Sequence, residues 1–250
     1  MKYLIVANWK MNPQSCAKTE RFCDLIKKKL KKSRKAEIII CPPFLYLPIV
    51  KQLRIIKTGA QNCFWEEQGA FTGEISLAML KDLKCQYALI GHSERRRFLN
   101  ETNQMVNKKI QAALFAKIKP ILCVGEKQEE KQGNKTIAVL KSQMQGALKG
   151  ISKKQVANII FAYEPVWAIG TGSACSPDEG HVIRLLLQKI IAQKYTRQIA
   201  EKAQILYGGS VNSSNVEEII KQAGFQGVLI GKASLIPNEF IKITEKVAKL

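Results

Sequence analysis

No run of apolar residues in this 250-residue chain approaches the roughly 18 needed to cross a bilayer, so a membrane-spanning helix is not expected. No C-x-x-C pair occurs among the seven cysteines, at positions 16, 23, 41, 63, 85, 123 and 175, which argues against a zinc site. Their odd number and scatter suit reduced thiols in a cytosolic protein, several of them acting as small core residues. No Pro/Gly/Ser-rich linker and no low-complexity segment marks a boundary, so residues 1–250 are expected to form one domain. The opening stretch from Met1 to Lys10 lacks a small-residue cleavage site and meets Lys10 and Asn12 almost at once. It reads as a buried first strand and not as a secretory leader, which again points to the cytoplasm.

Acid is scarce as well. Lys and Arg number 40 against 20 Asp and Glu, a net charge of +20. Such a balance fits either a nucleic-acid binder or an enzyme whose field attracts small anions. The densest run, Lys27-Lys28-Lys29-Leu30-Lys31-Lys32-Ser33-Arg34-Lys35, closes a helical pattern opened by Phe22, Leu25, Ile26 and Leu30. Lysines at a helix carboxyl end complement its dipole, so the run reads as a solvated terminus. No nucleic-acid motif and no interleaved aromatic platform accompanies it. Nucleic acid is therefore not expected as a partner despite the charge, and small anions are.

What the chain does have is alternation. Short β-branched runs at 3–7, 37–41, 57–61, 87–91, 119–124, 158–163, 203–208 and 227–231 are separated by amphipathic stretches. Ile183, Leu186, Leu187, Ile190 and Ile191 form one helical pattern, and Val216, Ile219 and Ile220, ended by Gly224, form another. Near-continuous apolar strands between helices indicate a parallel sheet covered on both faces. Eight such units in this length match a closed (β/α)8 barrel, an α/β fold with an eight-stranded parallel sheet and outer helices, better than an open doubly wound sheet.

The chemistry gathers at strand ends. Asn8 and Lys10 follow run one, His92-Ser93-Glu94 run four, and Cys123-Val124-Gly125-Glu126 closes run five. Glu164-Pro165 follows run six, Gly208-Gly209-Ser210 ends run seven, and Gly231-Lys232 ends run eight. A parallel barrel brings all these ends to one rim, where such folds hold their sites. Glycine turns after strands seven and eight let amides converge on an anion such as a phosphate. Gly170-Thr171-Gly172 is a third turn of this kind. Glu164 opens a segment with a proline at one hinge, an apolar Val166-Trp167-Ala168-Ile169 middle and glycines at the other, the make-up of a closing lid. A carboxylate desolvated beneath such a lid can serve as a general base. Lys10 supplies a charge for an oxyanion or a phosphate. His181 falls in a helical pattern and reads as a surface residue, while Arg95-Arg96-Arg97 are expected to pair with Glu94, Glu101 or other rim carboxylates.

Six segments carry a resemblance beyond this pattern. They are Ala7-Asn8-Trp9-Lys10-Met11-Asn12, the stretch 69–76 from Gly69 to Ser76, Ile90-Gly91-His92-Ser93-Glu94-Arg95-Arg96, Cys123-Val124-Gly125-Glu126, the run 162–172 around Glu164, and Tyr207-Gly208-Gly209-Ser210-Val211. In order and spacing the chain resembles the triosephosphate isomerase family across nearly its whole length. The resemblance implies a TIM barrel that interconverts dihydroxyacetone phosphate and D-glyceraldehyde 3-phosphate in glycolysis and gluconeogenesis, without metal or organic cofactor. It implies Glu164 as the proton shuttle and His92, as neutral imidazole, as the group that polarises the carbonyl. Lys10 and Asn8 would contact substrate oxygens, Glu94 would order the region around Lys10 and His92, and Gly170, Ser210, Gly231 and Lys232 would hold the phosphate. It further implies a homodimer through the loop around Thr72. One position departs from the family: a second glycine usually follows Gly231, where this chain has Lys232, which would be strained if the site needs a positive φ. Two other readings stand beside this one, a barrel isomerase of a larger phosphorylated substrate and a non-enzymatic basic binding protein.

Overall fold

The structure, a computed structural model, describes residues 2–169 and 174–250. Its strands are β1 (Tyr3–Asn8), β2 (Ala36–Cys41), β3 (Lys57–Ala60), β4 (Tyr87–Ile90), β5 (Lys119–Val124), β6 (Ile160–Tyr163), β7 (Gln204–Tyr207) and β8 (Gly227–Ile230). All pairings are parallel, and neighbours follow chain order. β1 closes the ring by pairing with β8, Leu4 opposite Gly227 through Ala7 opposite Ile230. The expected (β/α)8 barrel is the fold.

The strands read as unbroken apolar runs because both of their faces are buried. Side chains alternate across a strand. Leu4, Val6, Tyr87, Leu89, Ile121, Cys123, Ile160 and Ala162 point to an inner core that also contains Ile39, Leu206 and Leu229. Their neighbours Ile5, Ala7, Ala88, Ile90, Leu122 and Phe161 pack outward against the helices. A one-residue slip in any strand would exchange the two cores, so the register is firmly specified.

All but β5 of the expected strand runs shift at an end, most by a single residue. Asn8 is the last residue of β1 and not the first beyond it. β6 begins at Ile160 because the amides of Asn158 and Ile159 are used by Gln155 and Val156 in the turn before it. In the helix Cys16–Lys29 the inward stripe is Thr19, Phe22, Cys23 and Ile26. Leu25 is 42% exposed: at the helical angle it falls between the core and the solvent face. The helices Pro177–Lys194 and Val216–Lys221 bury Ile183, Leu187, Ile190 and Ile191, and Val216, Ile219 and Ile220.

Helix starts follow from local chemistry. Ser15, Thr102, Ser176 and Thr196 each accept a backbone N–H from the first turn that follows, satisfying donors the helix cannot. His181 is half-buried, its Nδ1 3.4 Å from Arg184, so it is less of a surface residue than its sequence context suggests.

Candidate active site

The strand carboxyl ends surround a cavity of about 330 Å3 lined by Asn8, Lys10, His92, Glu164, Ser210, Gly231 and Lys232 among others. Of the expected site residues all but two line it. Glu94 reaches it through Lys10 and His92, and Gly170 lies outside the described residues, as do Thr171 and Gly172.

Glu164 follows directly on β6 and is 2% exposed. One carboxylate oxygen lies 3.0 Å from His92 Nε2, and the other accepts the Ser93 amide at 2.9 Å. Burial would push this carboxyl up. The charge and hydrogen bond of His92, the Ser93 amide and the charge of Lys10 outweigh burial and hold it below the usual carboxylate range. It therefore rests as an ionised base.

His92 caps the helix Ser93–Phe98, and its Nδ1 accepts the Glu94 amide at 3.2 Å. A ring nitrogen that accepts an amide carries no proton, so the network assigns the proton to Nε2, from which it is donated to Glu164. Burial disfavours an imidazolium, but the charge and bond of Glu164, then the charge of Glu94, move the net direction upward. Most of that upward effect belongs to the Glu164 contact. Once Glu164 turns away, burial and the Glu94 amide together favour the neutral ring.

Lys10 is one of the few non-glycine residues with a positive φ, 53°. Both its backbone groups are held by side chains. Its N–H donates to Asn8 Oδ1 at 3.0 Å, and its carbonyl accepts from Gln61 Nε2 at 2.9 Å. Gln61 also donates to the Cys41 carbonyl at 2.8 Å, tying the Lys10 turn to the end of β2. A non-glycine residue in this region costs on the order of 1–3 kcal/mol and persists only where its surroundings fix it. The outcome is an ammonium 2.5 Å from Glu94 Oε1 and facing the cavity.

Gln61 carries no motif that would mark it in the sequence. It stands just past β3, one of the two strand ends with no evident chemistry, and that placement is the available signal. Glu126, two residues past the end of β5, has a role that only the fold reveals. It is buried, and its Oε1 accepts from Tyr163 OH at 2.9 Å and from Trp167 Nε1 at 2.8 Å, pinning the lid segment. Lys131 sits 3.2 Å over the Trp167 ring and pairs with Glu179 at 2.6 Å. Ser210 Oγ donates to the Ala168 carbonyl at 3.0 Å, a second tie on the same segment.

The glycines here make room for the base. A β-carbon on Gly208 would lie 3.0 Å from Glu164 Cγ, and one on Gly125 would collide with the Glu164 backbone carbonyl. Lys232 is not in the left-handed region. It opens the short 3-10 turn Lys232–Leu235 and lines the cavity, so the strain that a positive φ would have brought does not arise. Of the three arginines, Arg95 pairs with Glu101 at 2.7 Å as expected. Arg96 instead donates to the Gly91 carbonyl and to Asn103, and Arg97 lies over the Phe98 ring, because the short helix turns them away from Glu94.

The site thus combines an ionised carboxylate, an imidazole in contact with it, a fixed ammonium and glycine turns on adjacent strands. Comparison with known proteins agrees with this reading. A family model described as triosephosphate isomerase matches residues 3–247. A protein of that name from Dictyoglomus turgidum is 47% identical over 240 residues, 95% of this chain and 96% of its own. Others from Dictyoglomus thermophilum and Aquifex aeolicus are 46% and 43% identical, each covering 97% of this chain and 98% of their own.

Proposed function

This chain belongs to the triosephosphate isomerase family, and we propose the part that each residue plays in its reaction. The enzyme is an aldose–ketose isomerase that interconverts dihydroxyacetone phosphate and D-glyceraldehyde 3-phosphate, a step of glycolysis. Glu164 takes a proton from one carbon, leaving an enediolate, and returns it to the neighbouring carbon. The observation that carries this reading is the buried carboxylate held between His92 Nε2 and the Ser93 amide at the cavity wall. To reach substrate it must leave the Ser93 N–H, and losing that bond in a closed pocket raises its proton affinity towards that of a useful base.

His92, neutral with its proton on Nε2, donates to the substrate carbonyl and passes protons between the two oxygens. The triosephosphate isomerase family is itself the standard example of such a tuned acid–base pair, so the pairing comes with family membership and carries no separate magnitude. Lys10 and Asn8 stabilise the developing oxyanion, and Glu94 fixes the Lys10 ammonium. The amides of Ser210, Gly231 and Lys232, with Gly170, take the phosphate. Lys232 in place of glycine is compatible with this cradle because its backbone is ordinary.

The active unit is a homodimer in this reading. Support comes from the loop around Thr72, where Phe64 stacks on Trp65 and meets Phe71 at a tilt, yet Phe71 stays 43% exposed. A cytoplasmic setting is supported by seven unpaired cysteines, which a reducing compartment keeps as thiols.

A coupled assay with each triose phosphate tests the activity. Turnover in both directions is expected. Turnover of neither, with activity on a larger sugar phosphate, would overturn the substrate assignment.

A further inference from the structure

A dense cluster of positive charge lies away from the active site. Helices of a parallel barrel run antiparallel to its strands, so helix carboxyl ends gather at the end opposite the catalytic rim. There the helix Cys16–Lys29 closes with Lys27, Lys28 and Lys29, and the helix Pro237–Lys249 with Lys246 and Lys249. The chain then leaves the first helix at Leu30 in extended conformation and runs through Lys31, Lys32, Arg34 and Lys35 into β2.

These two segments form one groove of about 550 Å3. Lys29, Lys31, Lys32, Arg34, Lys35 and Lys249 line it against a single carboxylate, Glu245. Among the described residues none of the six cations is in an ion pair. Lys29 and Lys35 donate only to neutral oxygens, Asn238 Oδ1 at 3.1 Å and the Lys249 carbonyl at 3.3 Å.

Two ordinary explanations account for only part of this. The helix dipole favours Lys27, Lys28 and Lys29 but not the four cations beyond the helix end, since its effect fades within the last turn. Steering of substrate is also a poor reason. The six residues of β1 at about 3.3 Å each place the groove about 20 Å from the rim, more than twice the screening length of about 8 Å in physiological salt.

The shape and lining narrow the occupant. The apolar side chains in the lining are the buried Leu30, Ala36 and Ile38 and the half-buried Ala248, so no large apolar side chain projects to enter a bilayer. No aromatic ring lines it on which an unpaired base could stack. What remains is a concave row of unpaired cations, complementary to a regular line of phosphates. We propose that this groove binds the phosphate backbone of a nucleic-acid duplex without reading its bases. Sequence alone presents the run as a solvated helix end; folding brings the carboxyl-terminal helix beside it and turns it into one wall of a groove.

The test is fluorescence anisotropy of a short DNA duplex with the full-length enzyme. With six phosphates neutralised, log affinity should fall against log salt with a slope of about −5, about a thousandfold between about 50 and 200 mM. The variant Lys31→Glu, Lys32→Glu, Arg34→Glu should lose at least about tenfold in affinity, with a slope shallower by about 3. A control variant, Lys135→Glu, Lys141→Glu, Lys189→Glu, carries the same net charge on other exposed surfaces and should bind like the parent. Isomerase turnover and circular dichroism should match the parent in both. Should the Glu triple fold poorly, the same three positions changed to Gln give the same test with a smaller expected loss. Equal weakening in both triples would mean that only overall charge acts, and would overturn the proposal. So would no duplex binding at low salt, or tighter binding to anionic phospholipid vesicles that the first triple abolishes.

Discussion

Single residues decide whether this barrel can do chemistry, and the most informative are held in positions they would not choose alone. Lys10 keeps a positive φ because Asn8 and Gln61 occupy its N–H and carbonyl. Behind His92 lies a buried ionic cluster: Glu101 accepts the Gly91 amide at 3.1 Å, Arg95 at 2.7 Å and Lys109 at 2.9 Å, and Lys109 also donates to Asn62. Burial pushes Glu101 up, but the charge and bond of Lys109 and then Arg95 outweigh it and leave the carboxyl below its ordinary range. A depressed folded pKa stabilises the fold above the unfolded value of about 4.3 and ceases to do so as pH falls through the folded value. Glu101→Gln leaves Lys109 buried beside a neutral amide and should cost about 3–5 kcal/mol at neutral pH. Urea denaturation should show the gap to the parent narrowing as pH falls below about 4.3 and levelling off once it is below the folded pKa of Glu101. A gap that stayed constant with pH would mean the carboxylate charge is not what matters there. Of these residues the sequence makes Lys10, Asn8, His92, Glu94 and Glu164 legible, because each stands beside a strand end. Gln61, Lys109 and Asn62 are not legible, since their partners are brought to them only by folding.

At the scale of elements, hydrophobic pattern is enough to place all eight strands, because burial on both faces writes an unmistakable apolar run. The edges are less legible. Asn8 belongs to β1, and the turn after the helix Lys153–Val156 delays β6, because local hydrogen bonds rather than hydrophobicity set those limits. The close approach of β5 and β6 is another feature that pattern does not encode. The Glu164 amide donates to the Val124 carbonyl at 2.8 Å, and the next residue, Gly125, leaves no room for a β-carbon against the Glu164 carbonyl. Gly125→Ala should therefore force the two strand ends apart. The overpacking should cost about 1–3 kcal/mol, and the shifted base should lower turnover by about a hundredfold. Stability and turnover measured together check this; an unchanged turnover would show that Glu164 is placed independently of β5.

For the whole molecule, opposite ends of the barrel carry different work: the strand carboxyl ends hold the isomerase chemistry and the other end holds the groove lined by six cations. Assembly is a property of the same scale. Sedimentation velocity should give twice the 28.1 kDa chain mass, and a species of that single mass at every concentration would rule out the dimer. What the whole barrel exists to do is hold Glu164 in place, and turnover of Glu164→Asp measures that directly. Retracting the carboxylate by one methylene should leave the barrel and its thermal midpoint essentially as they are, since Glu164 lies just beyond a strand whose inner and outer cores stay intact. Its turnover on the triose phosphates should fall by about a hundredfold or more, because a misplacement of this size already spoils near-attack geometry. Turnover equal to that of the parent would mean that another group moves the proton and that Glu164 is not the base.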